Sequence, residues 1–440
     1  MEVKRYWDFD PEKSIRYGSD VEYEEHFRGA LRGSIRQRLR SESPVLAELS
    51  GGMDSSSIVC MADDICGRAA GSTPRVDTLS YYDDSEPNWN EQPYFSKVEE
   101  KRGRTGCHID VSGHSALTFD CSESSFASTP GSTASCDEVT RSFAAYLRSG
   151  GYRVLLSGVG GDEVTGGVPT PTPELADLFA TCHLLMLSRQ LTAWAIEKRR
   201  PWFHMLFETT KEFFQVKLVG IAKDRQAASW LTPRFLHHRR AALIGYETRL
   251  KFFDRLPSLQ INLNTLDALR RQFACYMLPS NPTYERRYPY LDRALLEFLY
   301  AIPPEQLVRP GRRLSLMRRA LTGIVPDEVL NRKRKAYVFA GLRETVLAQW
   351  HRLNLDREKL ASADLGIVDS QRLVHMLDRV ARGAEVPNLT LTRTLAMESW
   401  LRAVLKRGVL DGSMNAQGQD VLLLTKSFRK QRITAIRKFY

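Results

Sequence analysis

No apolar run in the 440 residues approaches the roughly 18–20 that a helix needs to cross a bilayer. The opening stretch, MEVKRYWDFDPEK, has no apolar segment of the kind a secretory signal requires. Both absences predict a chain that works in the cytoplasm without a membrane. Cysteine shows no pattern: Cys60, Cys66, Cys107, Cys121, Cys136, Cys182 and Cys275 are scattered, odd in number and never spaced C-x-x-C. That speaks against a zinc site and against a disulfide framework. Internal repeats are missing, and the one biased segment is the Ser-, Thr- and Gly-rich stretch 112–134.

What the chain has in excess is positive charge. Its 63 Lys and Arg outnumber 52 Asp and Glu for a formal net charge of +11. Much of the surplus is local, in residues 309–335 and in the tail 426–438. A phosphate-handling pocket, an acidic peptide and RNA all attract such charge, and the tail also reads as solvated surface. The length exceeds the roughly 250–300 residues at which a single core stops growing. We expect a lead-in over 1–20, an α/β core over 21–173, a mainly helical part over 174–410 and a basic tail over 411–440.

Periodicity places the elements. Phe27, Leu31, Ile35 and Leu39 recur every four residues, which predicts an amphipathic helix over 21–40. PVLAEL at 44–49 reads as a strand, followed by a Gly-rich turn and a helix from 54 to about 64. Strands are also expected at 75–82, 107–111 and 153–158, with helices at 90–103 and 136–151, each ended by glycine. Strands alternating with helices in this order predict a parallel sheet covered on both faces. From 174 to about 406 the patterns are helical, and 112–134 reads as a loop. Ligands of such sheets sit at the carboxyl ends of the strands, where both Gly-rich turns fall. His26 and His183 lie in helical patterns and read as packed or surface residues, and His108, in a strand candidate, reads as structural.

The first turn is Leu49-Ser50-Gly51-Gly52-Met53-Asp54-Ser55-Ser56. Two glycines let backbone approach a phosphate, and the amides at the following helix start point at the anion. Ser50, Ser55 and Ser56 can donate to phosphate oxygens, and Asp54 can hold a bridging Mg²⁺. The Lys of a Walker A loop is absent. The same residues would also cap a helix after an ordinary tight turn. The second turn, Ser157-Gly158-Val159-Gly160-Gly161-Asp162-Glu163, offers Asp162 to the same ion.

SGGMDSS paired with SGVGGDE resembles the synthetase domain of asparagine synthetases, within the PP-loop ATP pyrophosphatases. The resemblance runs from about Tyr6 to Leu405. It takes in Glu285-Arg286-Arg287-Tyr288-Pro289-Tyr290-Leu291-Asp292, Leu316-Met317-Arg318-Arg319-Ala320 and the run from Val325 to Lys335. It implies an adenine nucleotide alpha hydrolase-like α/β fold, ATP with Mg²⁺, and release of AMP and pyrophosphate as a carboxylate is joined to an amine. It further implies nucleotide contacts from Leu49, Ser50, Gly51, Gly52, Asp54, Ser55, Ser56, Ser80, Ser157, Gly158 and Gly161, and metal binding by Asp54 and Asp162. A catalytic cation is implied two residues after Arg332. The count reaches Arg334, and a one-residue shift reaches Lys335, which is favoured, with Lys333 beside them. Tyr284, Glu285, Tyr288 and Asp292 are candidates for the substrate pocket, with core packing an equal alternative for the two tyrosines.

Two departures bear on the substrate. The chain begins Met1-Glu2 and enters the synthetase region at once, so no glutaminase domain is expected. Ammonia would come from a separate amidotransferase or from solution, unless another amine is used. Val159 stands where asparagine synthetases carry a glutamate, and valine cannot act as a base. Lasso-peptide macrolactam cyclases are similar and manage without that acid, so the alternative is closure of an Asp or Glu side chain onto a peptide amine, with a leader-peptide-binding partner. A PP-loop tRNA-modifying enzyme and a silent nucleotide-binding scaffold are further alternatives. A nucleic-acid partner is not expected.

Overall fold

A computed structural model describes residues 7–68, 74–83, 91–112, 125–126, 138–168, 170–213, 228–238, 250–273, 278–279, 284–332, 346–347, 359–384 and 388–408. Helix α1 (Asp20–Arg38) starts at Ser19, whose backbone N–H donates to Glu22 Oε2 at 2.9 Å in a capping box. Its four-residue repeat buries Tyr23, Phe27, Leu31 and Ile35. The apolar runs then alternate with helices as the pattern requires: β1 (Val45–Glu48), α2 (Met53–Arg68), β2 (Val76–Tyr82), α3 (Gln92–Arg102), β3 (Cys107–Asp110), α4 (Glu138–Ser149), β5 (Val154–Leu156) and the short α5 (Gly161–Val164). Inside the stretch expected to be loop, β4 (Ser125–Phe126) pairs antiparallel with β6 (Leu278–Pro279). The tail 411–440 lies outside the described residues.

The main sheet has five parallel strands in the order β3-β2-β1-β5-β7, the last being β7 (Glu285–Arg287). Strand direction reverses its progress at β1, which therefore flanks the switch point with β5. Alternation sends Val45, Ala47, Val76 and Leu156 to one face, where α1, α2, α3 and the helices Arg293–Ala301 and Ser315–Ala320 cover them. Leu46, Leu79, Ile109 and Leu155 face the other side, against Leu147 of α4 and Tyr152. The core on the first face runs from Phe9 to Leu330, so residues before and after 173 build it together.

Two smaller cores belong to the helical part. One gathers Leu175 of α6 (Thr172–Ala180), Leu187, Leu191 and Trp194 of α7 (Leu184–Lys198) and Met205 of α8 (Trp202–Thr210). The other joins Trp230 to Leu373, Leu377, Leu391 and Leu395. No helix among the described residues is long and apolar enough to cross a membrane.

Candidate active site

The turn after β1 is fixed by its own side chains. Leu49 N–H donates to the Leu79 carbonyl at 2.8 Å, which continues the sheet by one bond. Ser50 N–H donates to Ser55 Oγ at 3.1 Å, and the two serine hydroxyls lie 3.1 Å apart. Gly52 N–H reaches Ser50 Oγ at 3.4 Å. Gly51 adopts φ 68°, and a Cβ there would fall 2.7 Å from Phe95 N and Tyr94 Cβ, so α3 presses directly on this corner. Asp54 then enters the first turn of α2.

Beneath this corner lies Arg332, a residue that sequence reasoning uses only as a counting mark. Its side chain is 5% exposed. Nη1 donates to the Gly51 carbonyl at 3.2 Å, the guanidinium stands 4.0 Å over the Tyr94 ring, and Nη2 lies 3.7 Å from Glu91. Burial pushes its pKa down, opposed by Glu91 and Tyr94, yet guanidinium stays charged in proteins. Arg318 is held by main chain, donating to the carbonyls of Leu330, Arg313 and Arg332.

The turn after β5 is built by close approach. Ser157 N–H donates to the Arg287 carbonyl at 3.0 Å. A Cβ on Gly158 would lie 3.2 Å from Ser55 N and 3.3 Å from Asp54 Cβ, so the two turns are in contact. Gly160 takes φ 96° against Leu291. A Cβ on Gly161 would sit 2.4 Å from both Cγ and Oδ1 of Asp54, and one on Gly167 would sit 2.2 Å from Asp162 Oδ1. Val159 is partly buried between its glycines, and Glu163 is exposed.

Asp54 and Asp162 thus line one small pocket together with Gly52, Arg313, Arg318 and Arg332. Its volume of about 10 Å³ is room for one water-sized particle. Tyr290, fully buried between them, shares a short hydrogen bond with Ser57 and donates to the Asp54 carbonyl at 3.4 Å. Burial drives its pKa well up, and the charges of Asp54 and Asp162 push the same way. One hydroxyl feels both carboxylates. Two carboxylates are the number magnesium takes when phosphates complete its shell, and the glycines crowding each acid leave no side chain in the way. The donor set fits that ion. Among the described residues no group of three or more His, Cys, Asp or Glu gathers as a metal site.

The remaining candidates divide. Ser56 and Ser80 are buried, and their hydroxyls have no hydrogen-bond partner among the described residues. Ser157 Oγ donates to Glu48 Oε2 at 2.6 Å. Tyr284, Glu285, Tyr288 and Asp292, the candidates for a substrate pocket, each have a packing partner. Asp292 caps the helix Arg293–Ala301 through Ala294 N–H and Leu295 N–H and pairs with Arg38 at 2.9 Å. Glu285 opens β7 opposite Val154, at the far end of the strand from the turns, and pairs with Arg287 at 2.8 Å, which lowers its pKa. Tyr284 packs edge-on to Phe143 and Tyr288 against Phe273. None of the four lines the pocket of the two aspartates. Lys333, Arg334 and Lys335 lie outside the described residues. Arg313, Arg318, Arg332 and Tyr290 are the lining and framing residues that sequence reasoning missed, although three of them stand in the quoted segments.

Comparison with known proteins places the chain among known sequences. A family model described as asparagine synthase matches residues 26–402. Asparagine synthetase (glutamine-hydrolyzing) 3 of Bacillus subtilis (strain 168) is 24% identical over 402 residues, covering 88% of this chain and 59% of that protein. Asparagine synthetase (glutamine-hydrolyzing) 1 of the same organism is 25% identical over 328 residues, covering 70% of this chain and 48% of that protein. The chain therefore spans about half the length of the curated relatives it matches.

Proposed function

The chain belongs to the asparagine synthase family, and from that premise we propose that it is an ATP-dependent amide ligase. In this reading a carboxylate of the aspartate or glutamate type attacks the α-phosphorus of ATP and pyrophosphate leaves. An amine then displaces AMP from the acyl-adenylate. The observation that carries the reading is the meeting of Asp54 and Asp162, from two separate turns, in one pocket with three arginines.

The residues divide the work as follows. The amides opening α2, with Ser50, Gly51, Gly52 and Ser55, receive the pyrophosphate. Leu49, Ser56, Ser80, Ser157, Gly158 and Gly161 frame the rest of the nucleotide. Asp54 and Asp162 would hold magnesium, which when bound neutralises charge on the departing pyrophosphate. Arg313, Arg318 and Arg332 add a fixed positive field, and Lys335, Arg334 and Lys333 follow directly in sequence. If ammonia is the amine, glutamine hydrolysis, which the relatives' names include, is one source of it.

Exchange of labelled pyrophosphate into ATP tests the proposal, with free aspartate, free glutamate and peptides bearing Asp or Glu as carboxylates. We expect carboxylate-dependent exchange that falls at least about 100-fold in Asp54→Asn and in Asp162→Asn. Exchange that no carboxylate supports, or that survives both substitutions, overturns the reading. The carboxylate that works also separates an asparagine-forming enzyme from one that cyclises a peptide.

A further inference from the structure

The pocket of the two aspartates leaves one acid of the same rim without a task. Glu48 is the last residue of β1, and Ser157 is the first after β5. The pairing Ala47↔Leu156 puts them level with each other. Alternation sends both side chains to the α4 face, the side opposite α2. Ser157 Oγ donates to Glu48 Oε2 at 2.6 Å, so the carboxylate bridges the gap between β1 and β5. Arg286 of β7 stands 3.4 Å from Oε1. The Glu48 side chain is 28% exposed, open to an incoming group yet held by two partners. Its position is the switch point of the sheet, the crevice where open parallel sheets take nucleotides.

A structural tie between β1 and β7 does not require a carboxylate here, because interior strand ends are commonly apolar and the sheet is already joined by main-chain bonds. An ionised carboxylate has about four acceptor sites, and Ser157 and Arg286 occupy one on each oxygen. The rest suit hydroxyl donors. If phosphates rest on Ser50 to Ser55, the sugar attached to them lies over this same crevice.

We propose that Glu48 recognises the ribose of the nucleotide, accepting hydrogen bonds from its 2′- or 3′-hydroxyl, with Ser157 and Arg286 fixing the carboxylate's orientation. The proposal rests on the ligase reading for the identity of the nucleotide. It makes Glu48 a specificity residue that favours ribonucleotides over deoxynucleotides and repels a phosphate at the same position.

Calorimetric binding of ATP, 2′-deoxy-ATP and 3′-deoxy-ATP to the full chain, with magnesium present, tests it. The unaltered chain is expected to bind at least one deoxy analogue about 10-fold more weakly than ATP, the loss of one hydrogen bond to a charged acceptor. In Glu48→Gln and Glu48→Asp that ratio should shrink towards one, chiefly through weaker ATP binding. A structural tie would lower the melting temperature and leave the ratio intact, which overturns the proposal. Equal binding of all three nucleotides by the unaltered chain overturns it before any variant is made. Failure to bind ATP at all sinks the ligase reading as well, whereas ATP binding with an unchanged ratio sinks only the role of Glu48.

Discussion

The two glycine-bearing turns do adjacent jobs with a different balance of bonds and close approach. The turn after β1 is held by side-chain bonds, Ser50 to Ser55 and Arg332 to the Gly51 carbonyl. The turn after β5 leans more on close approach, since Gly161 and Gly167 leave only the space that Asp54 and Asp162 fill, although Gly51 meets α3 in the same way in the first turn. A contact built from bonds loses stability in increments as each bond is removed. A contact built from missing atoms fails at the first atom added.

The sharpest test of that contrast adds a methyl group. Gly161→Ala would put Cβ into the Asp54 carboxylate, and we expect pyrophosphate exchange to fall about 100-fold. Gly52→Ala, whose Cβ would meet only the flexible Ser50 Oγ at 3.3 Å, should cost less than about 10-fold. Similar losses at both glycines would erase the distinction.

Removing the buried cation comes next. Arg332→Ala should destabilise the fold by about 3 kcal/mol in urea titration, and Arg332→Lys should recover little, because an ammonium cannot both stack on Tyr94 and reach Gly51. Full recovery with lysine would mean that charge alone supports the corner.

A pH measurement supplies an internal control remote from both turns. Glu174 in α6 is buried, which raises its pKa to about 7, tempered by a hydrogen bond from Trp194. The folded chain then keeps a proton that the unfolded chain has lost, so this group's contribution falls as pH rises from its ordinary 4.5 to about 7. Glu174→Gln should remove that part of the slope, up to about 3 kcal/mol above pH 7, without moving the nucleotide preference. An unchanged slope of melting temperature against pH would show that Glu174 titrates normally.

The smallest effect is expected at Ser55→Ala, about 1 kcal/mol of stability for the shared hydroxyl bonds. A loss as large as that of Arg332→Ala would place the weight of the first turn in its serines.

Strands β1, β2, β3 and β5 were legible because each is an apolar run between turn signals, and α1 because its four-residue repeat is regular. Strand β7 was not, since Glu285-Arg286-Arg287 carries no alternation and is defined only by its bonds to β5. The two aspartates were legible from local motifs, which record which residues cluster along the chain. The arginines were not, because in residues 309–335 a pocket cation and a solvated one look alike until packing buries Arg332. The acids of residues 285–292 show the same limit from the other side. Asp292 and Glu285 stand in a motif that resembles a pocket segment, yet one caps a helix and the other balances Arg287.

The late arrival of β7 has a consequence for synthesis. Strand β5 waits for a partner that lies roughly 130 residues further along the chain, which at about 5–20 residues per second takes on the order of ten seconds of translation. During that interval β5, buried on both faces in the finished protein, presents an open edge to its neighbours on the polysome. Chaperone capture in the cell should therefore fall on nascent chains that have passed Leu156 and have not yet delivered Arg287.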